Sequence, residues 1–345
     1  MEILQNIKGL SRRNFLKDFG KAILVVSTGL TLKETLIGCA TIGIEKTPTI
    51  YPPLKGHKIQ PPENGCYFGI GRSIWRGVRD NIDSYEEKLG KRPSIVWLRH
   101  GFASWKYVFE QSEEIARRKV IPFLVIDAPY NFKNIVSGDS DNVIRKFADE
   151  AIKFGEKYGG FFITTMWEMN YRGKDPLWWW CNQPDSFLEA WKHIWQIFED
   201  GRANEYATWV IEYHVDFPLE EYYPGDQYVD WIGFSAYNWE VSQQYHGYRD
   251  LSELISKPYY YFRYKHKDKP IMLSEFGTPS KNDQPKWIEK AFKTIKSKPG
   301  LKAVAYWDET YWHPVSRWVD DIRLSIESLG VLKQVLKDLY WIIAK

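Results

Sequence analysis

Short apolar runs alternate with amphipathic stretches from Gly65 onward, with little low-complexity sequence between them. Runs rich in Val, Ile, Phe and Trp predict strands at Tyr67–Gly71, Ser94–Arg99, Ile121–Asp127, Phe161–Met166, Ala207–Glu212, Asp230–Ser235, Pro270–Ser274 and Leu301–Tyr306. Apolar residues at helical spacing predict helices at Trp105–Lys119, Asp141–Lys157, Asp185–Glu199, Leu251–His266 and Pro285–Lys298, before a terminal Asp320–Ile343 segment. Strands alternating with helices make parallel βα units, and eight such units point to a closed (β/α)8 TIM barrel, a single α/β domain over residues 65–345. A doubly wound sheet would want a Gly-rich phosphate turn after its first strand. Gly69-Ile70-Gly71-Arg72 lacks the third glycine.

The first 39 residues read differently. Ser11-Arg12-Arg13-Asn14-Phe15-Leu16-Lys17 resembles a twin-arginine export signal, and Ala22 to Leu32 is an apolar region too short to span a bilayer. Leu36-Ile37-Gly38-Cys39 resembles a bacterial lipobox, in which cleavage would leave Cys39 lipidated at the new N-terminus; a plain signal peptide or an uncleaved anchor are the alternatives. Residues 40–64 are Pro-rich and polar in their second half and suit a tether. The expected location is exported, at the cell surface or in the periplasm, with membrane contact only through a lipid on Cys39.

Composition narrows the partners. The chain has 345 residues, 44% of them hydrophobic, enough for a sizeable core. Net charge is +3, and no basic stripe is present to neutralise a phosphate backbone, so nucleic acid is not an expected partner. The 17 Trp and 22 Tyr exceed ordinary core use, and flat apolar faces with polar tips match sugar rings; each single Trp can equally be packing. Cys66 and Cys181 could pair in an oxidising compartment, but two distant cysteines carry little weight. No CxxC or His-rich spacing suggests a metal, no cofactor is expected, and a monomer is expected.

Two carboxylates end strand-like runs and stand among aromatic residues: Glu168 in Ile163-Thr164-Thr165-Met166-Trp167-Glu168-Met169-Asn170 and Glu275 in Pro270-Ile271-Met272-Leu273-Ser274-Glu275-Phe276-Gly277. On the eight-strand reading they close strands four and seven, on opposite sides of a barrel mouth, where catalytic groups of this fold collect. Paired carboxyls about 5 Å apart are the machinery of retaining glycoside hydrolysis. Glu168, near Trp167, Met169 and Trp178-Trp179-Trp180, has the more apolar setting, which suits the general acid. Glu275 is then the nucleophile. Tyr237 ends strand six beside it and can donate to it, and Trp307 ends strand eight as a floor for the attacked sugar. His100 ends strand two, as a sugar contact or a structural hydrogen bond. Asn170, Trp167, Trp180 and Trp239 lie beside these segments as candidate sugar contacts, with packing the alternative for the tryptophans.

From Gly65 to Trp312 the chain resembles glycoside hydrolase family 26, a clan-A barrel family that includes β-mannanases. The resemblance is carried by Gly65-Cys66-Tyr67-Phe68-Gly69, Trp167-Glu168-Met169-Asn170, the stretch from Tyr222-Tyr223-Pro224-Gly225-Asp226 to Asp230-Trp231-Ile232-Gly233, and Lys269-Pro270-Ile271-Met272-Leu273-Ser274-Glu275-Phe276-Gly277. It implies retaining endo-hydrolysis of a β-linked polysaccharide such as β-1,4-mannan, Glu168 as acid/base, Glu275 as nucleophile, Tyr237 bonded to the nucleophile and Trp307 in the subsite of the attacked sugar. Tyr-Pro-Gly-Asp reads as a structural turn. Two departures stand near the substrate: Trp167 where the family usually has His, and Gly173-Lys174-Asp175-Pro176-Leu177-Trp178-Trp179-Trp180 in place of Gly-x-Trp-Tyr-Pro-Trp. A catalytically silent surface barrel that binds polysaccharide is the alternative, and an enzyme trimming its own cell's polysaccharide is a third reading.

Overall fold

The computed structural model describes residues 58–71, 77–129, 131–172, 178–239, 247–312 and 319–344. The export segment with Cys39, most of the Pro-rich stretch and Gly173 to Leu177 lie outside them. Among the described residues, eight parallel strands follow one another in chain order: β1 Cys66–Gly71, β2 Ile95–Gly101, β3 Ile121–Asp127, β4 Phe161–Thr165, β5 Ala207–His214, β6 Trp231–Tyr237, β7 Ile271–Gly277 and β8 Leu301–Trp307. β8 returns to β1 in parallel, Tyr67 opposite Ala303 through Gly71 opposite Trp307, and the ring closes. With helices in the crossovers this is a (β/α)8 barrel.

Both faces of such a sheet are covered, so the strands are apolar throughout rather than alternating. β4, β5 and β6 are buried along their whole length. The helices Trp105–Arg117, Asp141–Tyr158, Pro184–Asp200, Leu251–Lys265 and Gln284–Lys296 lie close to their expected bounds. Each turns one stripe inward, as Ile144, Phe147, Ala151 and Phe154 do from Asp141–Tyr158. Asp250 and Glu253 form a capping box that starts Leu251–Lys265. Helix Gly77–Leu89 was not expected. Charged residues dilute its signal, although Ile82, Tyr85 and Leu89 are buried at i, i+3 and i+7. The terminal segment divides into Val319–Asp321, antiparallel to Thr310–Trp312, a helix at Ile326–Val335, and Trp341–Ile342, which pairs with β1.

The pole opposite the strand C-termini is tied down by polar clasps. Lys58 Nζ bonds Asp230 at 2.9 Å, and Ile59 N donates to Thr208 Oγ1 at 2.8 Å, so the end of the Pro-rich stretch is docked on the barrel. The Tyr-Pro-Gly-Asp turn is structural: Tyr223 Oη and His266 Nδ1 meet Asp226 Oδ1 at 2.6 and 2.9 Å, and Lys269 Nζ reaches the Asp226 and Val229 carbonyls. Much of the aromatic surplus is core, since Trp97, Trp191, Trp209, Trp231 and Trp287 are fully buried. Cys66 and Cys181 are separate buried thiols. No helix among the described residues is long and apolar enough to cross a membrane.

Candidate active site

Glu168 lies three residues past the end of β4, on a turn that the chain can make only with unusual backbone angles. Met166 and Glu168 have φ of 52° and 51°, a left-handed conformation that non-glycine residues rarely adopt. Neighbouring groups hold it there. Glu168 N donates to the Glu212 carbonyl (3.0 Å), Tyr171 N to the Glu168 carbonyl (2.9 Å), and Trp180 Nε1 to the Trp167 carbonyl (2.9 Å). The Asn170 amide bridges both backbone groups of His214 at 2.9 Å. Backbone strain that is overdetermined in this way marks functional sites. The result is a carboxyl 8% exposed whose Oε1 accepts from Ser235 Oγ on β6.

Glu275 reaches the same space through an irregularity in β7. Gly233, Ser235 and Tyr237 share the inner face of β6, and Met272 is opposite Gly233. Counting in twos from Met272 would turn Ser274 and Phe276 inward and Glu275 out. The register instead shifts between Gly233 and Ser235, and again between Leu273 and Phe276 against β8, so one extra β7 residue is absorbed. This bulge places Glu275 opposite Ser235 and sends Phe276 out against Trp287 and Phe292. Tyr237 Oη donates to Glu275 Oε2 at 2.5 Å. Burial and the nearby Glu275 charge keep that phenol protonated, hence a donor.

Burial and the Glu168 charge push the Glu275 carboxyl up to about 8, against the opposing Tyr237 hydrogen bond and Arg99 charge. A carboxyl whose proton is held by the charge of a neighbouring carboxylate is one half of the acid-and-base pairing that glycoside hydrolysis needs. Arg99, on β2, packs against two indoles that meet edge to face, its guanidinium carbon 4.5 Å from the Trp167 ring centroid and 4.8 Å from that of Trp178. It also pairs with Asp127 at 3.5 Å. Burial holds His100 below its ordinary value, so its imidazole is neutral at pH 7, with its ring edge against Tyr107.

The remaining candidates divide clearly. Trp307 is half-buried at the mouth, packed edge-on against Trp97 at 5.0 Å, and a Cβ on Gly71 would come within 2.7 Å of its ring. It keeps exposed surface for a ligand. Asn170 is fully buried with its amide committed to His214, so its place is in the turn's scaffold. Trp180 is 3% exposed within the Trp167, Trp178 and Trp179 cluster, and Trp167 is equally covered. Trp239 stacks on Tyr237 at 4.6 Å and is buried. Glu212 on β5, 1% exposed, is not among the sequence candidates although it closes the expected run Ala207–Glu212; the strand continues to His214. An acid inside Trp209-Val210-Ile211-Glu212-Tyr213-His214 is the same signal that marked the other two.

Fold and site together define a (β/α)8 barrel carrying a carboxyl pair and a phenol donor at the C-terminal ends of its strands. No family model matches the chain. It is 23% identical to Endoglucanase H of Acetivibrio thermocellus, over 78% of this chain and 30% of that protein, so it spans less than a third of the relative's length. Among solved structures, the catalytic domain of the family 26 endo-β-1,4-mannanase of Bacillus sp. JAMB-750 superposes with a TM-score of 0.59 at 14% identity, covering 81% of this chain and 87% of that one. An endo-β-1,4-mannanase of Cellulomonas fimi gives 0.61 at 12% identity, covering 81% and 72%. The fold is therefore one that these family 26 mannanases share over 81% of this chain.

Proposed function

We propose that this chain is a glycoside hydrolase of family 26 that cleaves internal linkages of a β-linked polysaccharide, β-1,4-mannan or a related β-glycan, with retention. The observation that carries the reading is the Tyr237 hydroxyl fixed on Glu275, with Glu168 held opposite on a strained turn. Glu275 attacks the anomeric carbon while Glu168 protonates the departing glycosidic oxygen, leaving a glycosyl ester on Glu275. Glu168, now ionised, takes a proton from water as that water attacks the same carbon and frees Glu275. Tyr237 stabilises the ionised nucleophile, and Trp307 lies under the ring being cleaved. A barrel that only bound polysaccharide would have no use for a donor on a buried carboxylate, which favours the enzyme over the silent barrel.

The test is a panel of mannan, galactomannan, glucomannan, β-1,3-xylan and mixed-linkage glucan, with products resolved by size and anomer. Internal cleavage with β-configured first products is expected from at least one glycan. Activity that survives Glu275→Ala, or α-configured first products, would overturn the mechanism. The same reading has the domain exported and tethered through Cys39. Metabolic labelling with a radiolabelled fatty acid should mark the wild type and miss Cys39→Ser.

A further inference from the structure

β5 carries a third carboxyl that the two-glutamate mechanism does not use. Glu212 is opposite Gly233 in register, two residues along the strand from the level where His214 meets Ser235. Its backbone carbonyl takes the Glu168 N–H, which fastens it to the acid/base turn. The charges acting on its side chain come from Glu275 on β7 and Glu168 beyond β4, and it acts in turn on the Tyr237 phenol of β6. Arg99 on β2 reaches Glu275. Among the described residues, neither Glu212 carboxyl oxygen has a hydrogen bond of ordinary geometry, and Ser274 is the one side chain close enough to oppose the effect of burial and of the two neighbouring charges.

A carboxylate that is buried, unpaired and beside two others is heavily penalised, whereas the protonated acid is not. The polar side chain beside the Glu212 carboxyl is Ser274, whose Oγ donates to the Phe234 carbonyl at 3.1 Å and, so engaged, can accept from a protonated Glu212. A Cβ on Gly233 would come within 3.0 Å of that oxygen, so the bare glycine opposite Glu212 leaves this space open. A protonated Glu212 can donate into it.

We propose that Glu212 is a positioning residue that works as an undissociated acid, supporting the Glu168 turn from below and holding the three-carboxyl cluster at one negative charge. This rests on the reading of Glu275 as nucleophile and Glu168 as acid/base. In the attacking form the single charge is on Glu275. A second charge on Glu212 would favour protonated Glu275, which cannot attack.

Infrared difference spectroscopy of the full chain tests it without substrate. At pH 7 the wild type minus Glu212→Gln difference spectrum should contain the carbonyl stretch of one undissociated carboxyl, over and above the Glu168 component that both proteins share. In the Glu168→Gln/Glu275→Gln double variant, where Glu212 is the one acid of the three that remains, the band should persist. There it should titrate at least about one pH unit lower than in the wild type, because the charges holding its proton are gone. Kinetically, Glu212→Gln should keep kcat within about threefold and leave the acid limb of kcat/KM in place, while Glu212→Ala lowers kcat about tenfold at unchanged KM. Absence of the band, or an acid limb that drops by a full unit in Glu212→Gln, would show Glu212 ionised and overturn the proposal. A hundredfold loss of kcat in Glu212→Gln would overturn it too, since an amide keeps the space and the neutrality but cannot exchange a proton. If no glycan is turned over, the functional reading fails while the infrared result still decides the state of Glu212.

Discussion

The Tyr237 hydroxyl reaches back from the strand position opposite Gly277 to donate to Glu275, two residues earlier on the neighbouring strand. That bond favours the ionised carboxylate, so removing it raises the pH at which Glu275 becomes a nucleophile. In Tyr237→Phe the acid limb of kcat/KM should move to higher pH, and kcat at the optimum should fall about 10- to 100-fold. A pH–rate profile that keeps its acid limb in place would remove Tyr237 from this role.

Glu168 serves two steps, and substrate chemistry separates them. Glu168→Ala should lower kcat on polysaccharide by about 10²–10⁴, the range for a lost general acid. On an aryl glycoside whose leaving group needs no proton, the first step recovers and the second becomes limiting. A pre-steady-state burst with added azide restoring turnover as the β-glycosyl azide is the expected signature. Rescue yielding the α-azide would contradict retention.

Arg99 links the departure at Trp167 to the nucleophile. Its guanidinium lies against both Trp167 and Trp178, and its charge favours ionised Glu275. Arg99→Met keeps much of the stem but loses the charge and the planar contact, a cation–π contribution of about 0.5–2 kcal/mol. The acid limb should again shift to higher pH, as in Tyr237→Phe, and melting should fall by a few degrees. An unchanged acid limb would confine Arg99 to packing.

Glu275 also leaves a mark on stability. Its folded-state carboxyl is raised to about 8 from an ordinary value of 4.5, so between those values the folded state binds more protons than the unfolded chain. Its contribution to stability is therefore fully present below about 4.5 and falls as pH rises toward 8. Glu275→Gln removes this dependence, so the variant should gain melting temperature over the wild type at pH 8 and gain less at pH 5. Equal gains at both pH values, measured by calorimetry, would mean that burial of Glu275 carries no such cost.

Strand and helix order was legible because a closed parallel sheet covers both faces of each strand. Apolar runs such as Ile121–Asp127 then stand out between charged helices, and an acid closing a run, as in Glu168 and Glu275, is conspicuous. The same double burial hides which way a side chain points. Period-two counting has no polar face to anchor it, so neither the β7 bulge that turns Glu275 inward nor the inward place of Glu212 could be read from the chain. The sequence by itself therefore determined the number of strands and which acids stand among them. Tertiary structure alone decided the rest: the left-handed turn at Glu168, the covering of Trp167 and Trp180, and the convergence of three carboxyls, because each depends on register and contacts between strands far apart in the chain.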